Sequence, residues 1–394
     1  MKVLAPPDTA TSDVYSNMDK IQPIMSYQDV DGVNHLGLKP INSVDSSRLM
    51  INYTETGGSN KDGVIELRRG VDDISLGESA YAQVRIGVDG THYLKGMAVY
   101  ADDLPPGVDI RFNTNKSSTG NKLDALKTMS DDPDNPFGST VRQKEFVDAA
   151  GKTKTSALNI VNEEGTWDSW SKTLSSQFLS KQSPALVKQQ LDEAYKLKKA
   201  EFDEINSLTN PVVRKELLMS FADDCDASAV HLKAHMLPRQ RNQVILPVTS
   251  MKDTEVYAPN FKNGERVVLI RHPHGGVFEI PELTVNNKNP EARKLLGAQP
   301  KDAIGIHPKV AERLSGADFD GDTVIVIPNN RGQVKTAPAL TQLKDFDPKR
   351  LYPGYEGMPK MRDKQGEMGR VSNLITDMTI KGAPLHEIAR AVQH

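Results

Sequence analysis

The segment Gly316-Ala317-Asp318-Phe319-Asp320-Gly321-Asp322 limits this chain more than any other stretch of it. Its carboxylates stand at i, i+2 and i+4, with a glycine before the last. Their oxygens can turn to one point only where the backbone bends tightly, which Gly321 permits. Such a point suits a hard divalent cation. Magnesium prefers oxygen ligands in octahedral array and keeps positions for water and phosphate oxygens, so a carboxylate cage with open sites points to phosphoryl transfer. A calcium loop fails on spacing: an EF-hand beginning at Asp318 needs glycine at its sixth position and glutamate at its twelfth, where Thr323 and Asn329 stand. The plain alternative is a solvated acidic turn, the usual fate of an isolated Asp/Gly cluster.

The flanks favour the cage. Thr323-Val324-Ile325-Val326-Ile327-Pro328 is a buried-strand pattern closed by proline, which places the carboxylates at the mouth of a strand. With the preceding Ile306-His307-Pro308-Lys309 and Val310-Ala311-Glu312-Arg313-Leu314, the whole reads IHPKVAERLSGADFDGDTVIVIP. This stretch resembles the catalytic double-psi β-barrel of the multisubunit RNA polymerase largest subunit. It is similar also to the phage-type single-chain RNA polymerases and the RNA-dependent RNA polymerases of RNA silencing. The resemblance implies that Asp318, Asp320 and Asp322 carry a catalytic Mg²⁺. The cellular polymerases have asparagine where Gly316 stands, so ribose selection is expected to come from elsewhere or to be looser.

Length and composition set wider bounds. A chain of 394 residues predicts two or three domains, and 26% charged with 37% hydrophobic residues places it among globular proteins. The single Cys225 excludes a disulfide framework and a cysteine-rich zinc site, and fits a reducing, cytoplasmic compartment. No apolar run reaches the ~18 residues of a membrane span, and the N-terminus lacks the layout of a signal peptide. A net charge of −3 leaves nucleic-acid binding to local patches.

Along the chain, residues 1–45 read as an irregular arm. Residues 46–130 hold short strands at Leu49–Tyr53, Gly63–Leu67, Ala82–Ile86 and Tyr93–Tyr100, separated by turn signals such as Val88-Asp89-Gly90 and suggesting a first β-barrel. Residues 131–230 read as a polar loop followed by a helical connector, with Pro184 and Pro211 dividing the helical run. The Lys196-Leu197-Lys198-Lys199 run on that connector reads as a solvated face. Residues 231–335 form the second β-rich unit, with a basic cluster at Lys233, His235, Arg239 and Arg241 and a strand at Arg266–Ile270. Residues 336–394 read as helical, and the chain is expected to stop in mid-helix. The fold class is therefore α+β, and the resemblance specifies two double-psi β-barrels joined by the connector. Gly366–Met378 resembles the helix that follows the metal loop in the single-chain enzymes, which implies a truncated sequence without the bridge-helix and trigger-loop equivalents.

Other site residues follow from the same resemblance. Arg271-His272-Pro273 lies at a strand end, where a guanidinium presents fixed, forked donors. It resembles the Arg-x-Pro of the multisubunit enzymes, which implies that Arg271 and Pro273 bind the incoming nucleotide. PGVDIRFNTNKSSTGNK loosely resembles the lysine-bearing segment of the family's other barrel, which implies phosphate contacts for Lys116 and, behind it, Lys122. His272 and His274 lack suitably spaced partners for zinc. The expected activity is template-directed joining of NTPs to an RNA 3′ end by Mg²⁺-dependent phosphoryl transfer, with a second metal carried by the nucleotide. The expected partners are a nucleic-acid template, an RNA product and NTPs, with no membrane. The expected setting is a single-chain phage or mobile-element enzyme in the host cytoplasm, with packaging into a virion as a variant. The competing reading is a non-catalytic β-barrel structural or virion protein whose acidic loop binds a cation.

Overall fold

The computed structural model describes residues 41–132, 135–167, 182–230, 237–272, 276–343 and 363–394, together with 10, 27–28, 34–35, 176–179, 274, 346, 351–355, 357–359 and 361. The strands are β1 (Tyr27–Gln28), β2 (Asn34–His35), β3 (Ser43–Val44), β4 (Leu49–Asn52), β5 (Val64–Arg68), β6 (Tyr81–Val88), β7 (His92–Ala101), β8 (Ile110–Asn113), β9 (Lys127–Thr128), β10 (Arg142–Val147) and β11 (Thr153–Glu163). Then follow β12 (Arg241–Pro247), β13 (Glu255–Tyr257), β14 (Arg266–Ile270), β15 (Glu282–Val285), β16 (Ala303–Ile306) and β17 (Thr323–Pro328). The longer helices are α1 (Pro184–Ser207), α2 (Pro211–Val230), α3 (Lys364–Ile380) and α4 (Leu385–Gln393).

The last six strands close into a barrel in the order β12-β16-β13-β15-β14-β17. The sequences of β14 and β17 are apolar almost without interruption because both faces are buried. Val267, Leu269, Val324 and Val326 point into a core that fills the barrel. Val268, Ile270, Ile325 and Ile327 point outward and are covered by Phe178, Leu179, Leu186 and Leu237. A half-polar strand would leave one of these layers unsatisfied.

The preceding strands form a nine-stranded sheet whose main path is β10-β11-β6-β7-β5-β8-β4. Its pairing repeats that of the barrel. In the barrel β12 is parallel to β16, β13 is parallel to β15, and β13–β16 and β14–β15 are antiparallel. In the sheet β4 is parallel to β8, β5 is parallel to β7, and β5–β8 and β6–β7 are antiparallel. Four pairings thus recur in the same chain order.

Sheet and barrel share one core. Val64, Tyr81, Met97, Val99 and Trp167 from the sheet side pack with the barrel interior. At the seam Asp302 is fully buried: it accepts from Tyr81 Oη at 2.8 Å and from the backbone N–H of Gly165 and Trp167 at 2.9 and 2.8 Å. Burial raises the Asp302 pKa.

One difference from the sequence reading concerns the middle of the chain. Residues 142–163, expected as loop, are the antiparallel strands β10 and β11, and β11 joins the sheet beside β6. The polarity of β10 misleads because it lies at the end of the sheet, where its outward groups meet water. The two prolines divide the helical run as the sequence suggests, each opening a helix. Pro184 is the first residue of α1, capped by Ser183 Oγ, and Pro211 opens α2, whose first turn donates to Asn210 Oδ1. Among the described residues, no helix is long and apolar enough to cross a membrane. The arm at 1–45 and the residues 231–236 fall mostly outside the described residues.

Candidate metal centre and its cationic wall

The loop between β16 and β17 turns back through Ser315 and Gly316, both with positive φ, and again at Gly321 with φ 127°. This backbone brings one ligand oxygen each from Asp318, Asp320 and Asp322 within 4.8 Å of one another. Among the described residues they are the one such group of His, Cys, Asp or Glu. Inside the loop the Asp318 N–H donates to Asp322 Oδ2 at 3.1 Å, and the Asp320 N–H to Asp318 Oδ1 at 3.3 Å. The Asp318 pKa is pushed up, first by burial and then by the negative charges of Asp320 and Asp322. Three mutually repelling oxygen donors gathered in this way fit a hard divalent cation such as Mg²⁺, whose charge would relieve that repulsion.

Two cations border the triad, one from the barrel and one from the sheet. Arg271, just past β14, holds Asp322 Oδ2 at 3.0 Å through its NH2 and donates through NH1 to the Ser315 carbonyl at 3.3 Å. Ser315 Oγ donates to Glu279 at 2.6 Å, so the turn before the metal loop is itself tied down. From the sheet, Lys95 on β7 forms an ion pair with Asp320. Behind it stands Arg85 on β6, 6% exposed, its Nε without a hydrogen-bond partner. Desolvation lowers the Arg85 pKa, while the fields of Tyr93 and Asp320 oppose that shift.

The sheet also grips the loop through neutral groups. Phe319 N–H donates to the Asp62 carbonyl at 3.1 Å, and Gln83 Nε2 donates to the Asp320 carbonyl at 2.9 Å. Gly63 allows this approach: a Cβ there would lie 2.8 Å from both Cβ and N of Asp320.

Of the residues singled out in the sequence, the structure brings Asp318, Asp320, Asp322 and Arg271 together. Pro273 lies outside the described residues. Lys116 Nζ donates to the carbonyls of Asp124 and Ala125, and Lys122 Nζ to those of Ser46 and Leu49. Both ammonium groups thus tie loops of the sheet, and neither has a described bond to the triad. Arg111, in the same PGVDIRFNTNKSSTGNK segment, is held by Glu66 and Asp103.

Lys95, Arg85 and Gln83 were not anticipated. A signal exists in Tyr81-Ala82-Gln83-Val84-Arg85-Ile86, where polar residues alternate with apolar ones inside a strand. Ala82, Val84 and Ile86 enter the sheet's own core, so the other face carries Gln83 and Arg85 toward the loop.

Fold and site together define a mixed α+β protein with a closed six-stranded barrel and a carboxylate triad flanked by arginine and lysine. No protein-family model matches the chain, and no curated protein matches it. A solved structure that resembles it is the RNA dependent RNA polymerase QDE-1 from Thielavia terrestris, at 15% sequence identity and a TM-score of 0.45. The similarity covers 90% of this chain and 43% of that polymerase, so the chain spans less than half its length.

Proposed function

We propose that this chain carries the nucleotidyl-transfer centre of a template-directed RNA polymerase of single-chain, phage or mobile-element type. The observation that carries the reading is the convergence of Asp318, Asp320 and Asp322 beside two cations, Arg271 from the barrel and Lys95 from the sheet. A purely structural cation needs the carboxylates but not a cationic wall facing them. A triphosphate needs both.

In this reading the three aspartates hold Mg²⁺. Bound there, with a second ion brought by the nucleotide, it supplies the charge that acidifies the RNA 3′-hydroxyl and stabilises the departing pyrophosphate. Arg271 offers fixed donors to the phosphates from the barrel side, and Lys95 offers a mobile point charge from the sheet side. Arg85 adds positive potential from a desolvated position, where a charge acts at greater strength than in water. The roles expected for Lys116 and Lys122 pass on this geometry to Lys95 and Arg85.

We also read the closed barrel as a double-psi β-barrel and the sheet as a second, modified copy of it, supported by the four recurring strand pairings. The two units are taken as residues 46–130, extended by β10 and β11, and 231–335. The proposed partners are a DNA or RNA template, NTPs and the RNA product, in the cytoplasm of the host cell.

The test is incorporation of labelled NTPs by the full chain on matched single-stranded DNA and RNA templates, with and without Mg²⁺. Incorporation that depends on Mg²⁺ and disappears in Asp320→Ala supports the reading. Incorporation that survives that substitution removes the metal assignment, and cation binding without incorporation on either template favours a structural acidic loop.

A further inference from the structure

The two hydrogen bonds inside the metal loop both end on carboxylate oxygens, of Asp318 and Asp322, so each occupies an atom that a cation also needs. Lys95 and Arg271 likewise act on carboxylates, of Asp320 and Asp322. Gln83 acts differently. Its Nε2 donates to the backbone carbonyl of Asp320 at 2.9 Å, which fixes the middle of the loop without itself occupying a carboxylate oxygen. Being neutral, it also leaves the negative potential at the triad undiminished.

The Gln83 amide is itself held. Asn162 Nδ2 donates to Gln83 Oε1 at 2.8 Å, which determines that the NH₂ end faces the loop. The two residues are register partners on β6 and β11, next to the irregularity between Ile160 and Asn162. That shift brings Asn162, rather than its neighbour, opposite Gln83. Contact with the loop is close: a Cβ on Gly321 would lie 2.1 Å from Gln83 Nε2, so a larger residue there would displace the amide.

We propose that Gln83, oriented by Asn162, is a positioning residue that fixes the Asp320 carbonyl and so makes the three carboxylates converge on a divalent cation. This rests on the reading that the triad holds such a cation. It gives the sheet a part in metal binding that needs no sheet residue among the ligands. It also gives a physical reason for the polar pair on the strand face that meets the barrel.

The experiment uses Mn²⁺ as the probe, with binding to the full chain followed by electron paramagnetic resonance of the free ion and by calorimetry. Gln83→Met keeps the length and removes the donor, and should weaken Mn²⁺ about tenfold, the scale of one lost hydrogen bond. Asn162→Ala should weaken it by about threefold, and Gln83→Met/Asn162→Ala should bind as Gln83→Met alone, because Asn162 acts through Gln83. Melting temperatures without metal should stay close to wild type, which separates positioning from general destabilisation. Equal Mn²⁺ affinity in Gln83→Met and wild type, or single effects that multiply in the double variant, would overturn the proposal. Should Gln83→Met not fold, an unchanged affinity in Asn162→Ala overturns it. If the wild type shows no Mn²⁺ binding that Asp320→Ala removes, the metal reading fails and the proposal fails with it.

Discussion

Arg85 and Lys95 are direct cross-strand partners on β6 and β7, two cations in register on one face of a sheet. Like charges so placed repel, typically by a few tenths of a kcal/mol up to about 1 kcal/mol. What makes the pairing tolerable is the acidic loop across the seam: Lys95 is ion-paired with Asp320, and the charge of Asp320 also reaches Arg85. Each side of the seam carries an electrostatic cost that the other relieves.

On the proposed function, Lys95→Met should lower kcat/KM for nucleotide incorporation by about 10²–10³-fold, the scale of losing one charged group that stabilises a transition state. Lys95→Arg should retain more activity than Lys95→Met, since charge is kept and geometry altered. Steady-state incorporation assays measure this, and wild-type rates in Lys95→Met would separate the sheet from the chemistry.

Gly63 has φ 89°, and its missing Cβ makes room for Asp320. Gly63→Ala should cost about 2–4 kcal/mol, combining backbone strain with overpacking. Gly70→Ala, at φ 77° with open space around it, should show only the strain, on the order of 1 kcal/mol. Denaturant unfolding of both variants reads the difference. Equal losses would mean that the loop yields to the added methyl group.

His272 and His274 follow Arg271 at ring centroids 5.4 Å apart, and burial pushes their pKa values down to about 4 and about 3. In the unfolded chain each takes up a proton near pH ~6.5, so that state binds more protons as pH falls. Stability is fully present above ~6.5 and is lost as pH drops from there toward the folded values. Between pH 7 and 5 the wild type should lose about 2 kcal/mol more than His274→Phe, by the linkage relation for one such group. Unfolding curves at the two pH values check it. A difference of opposite sign would show that the folded protein carries a protonated His274.

Much of this protein was legible in the chain itself. Asp318, Asp320 and Asp322 lie within one turn of backbone, so spacing alone could say that they meet. The strands Arg266–Ile270 and Thr323–Pro328 appear where their apolar runs lie, because burial on both faces leaves a continuous signal. Arg271 could be anticipated from its place at a strand end.

The tertiary structure alone decided that Lys95 and Arg85 come to the triad. Lys95 and Asp320 are separated by 225 residues, and nothing local to either records the other. A lysine in a polar loop, such as Lys116, looks more available than one inside a strand. Folding reverses this, since loop carbonyls hold Lys116 while the β6–β7 register carries Lys95 to the seam. The particular pairings that recur between sheet and barrel could not be read from spacing, because register is a relation between distant segments. Spacing along the chain can specify a ligand set drawn from one turn of backbone. A site built across a seam is specified by the packing of two cores against each other.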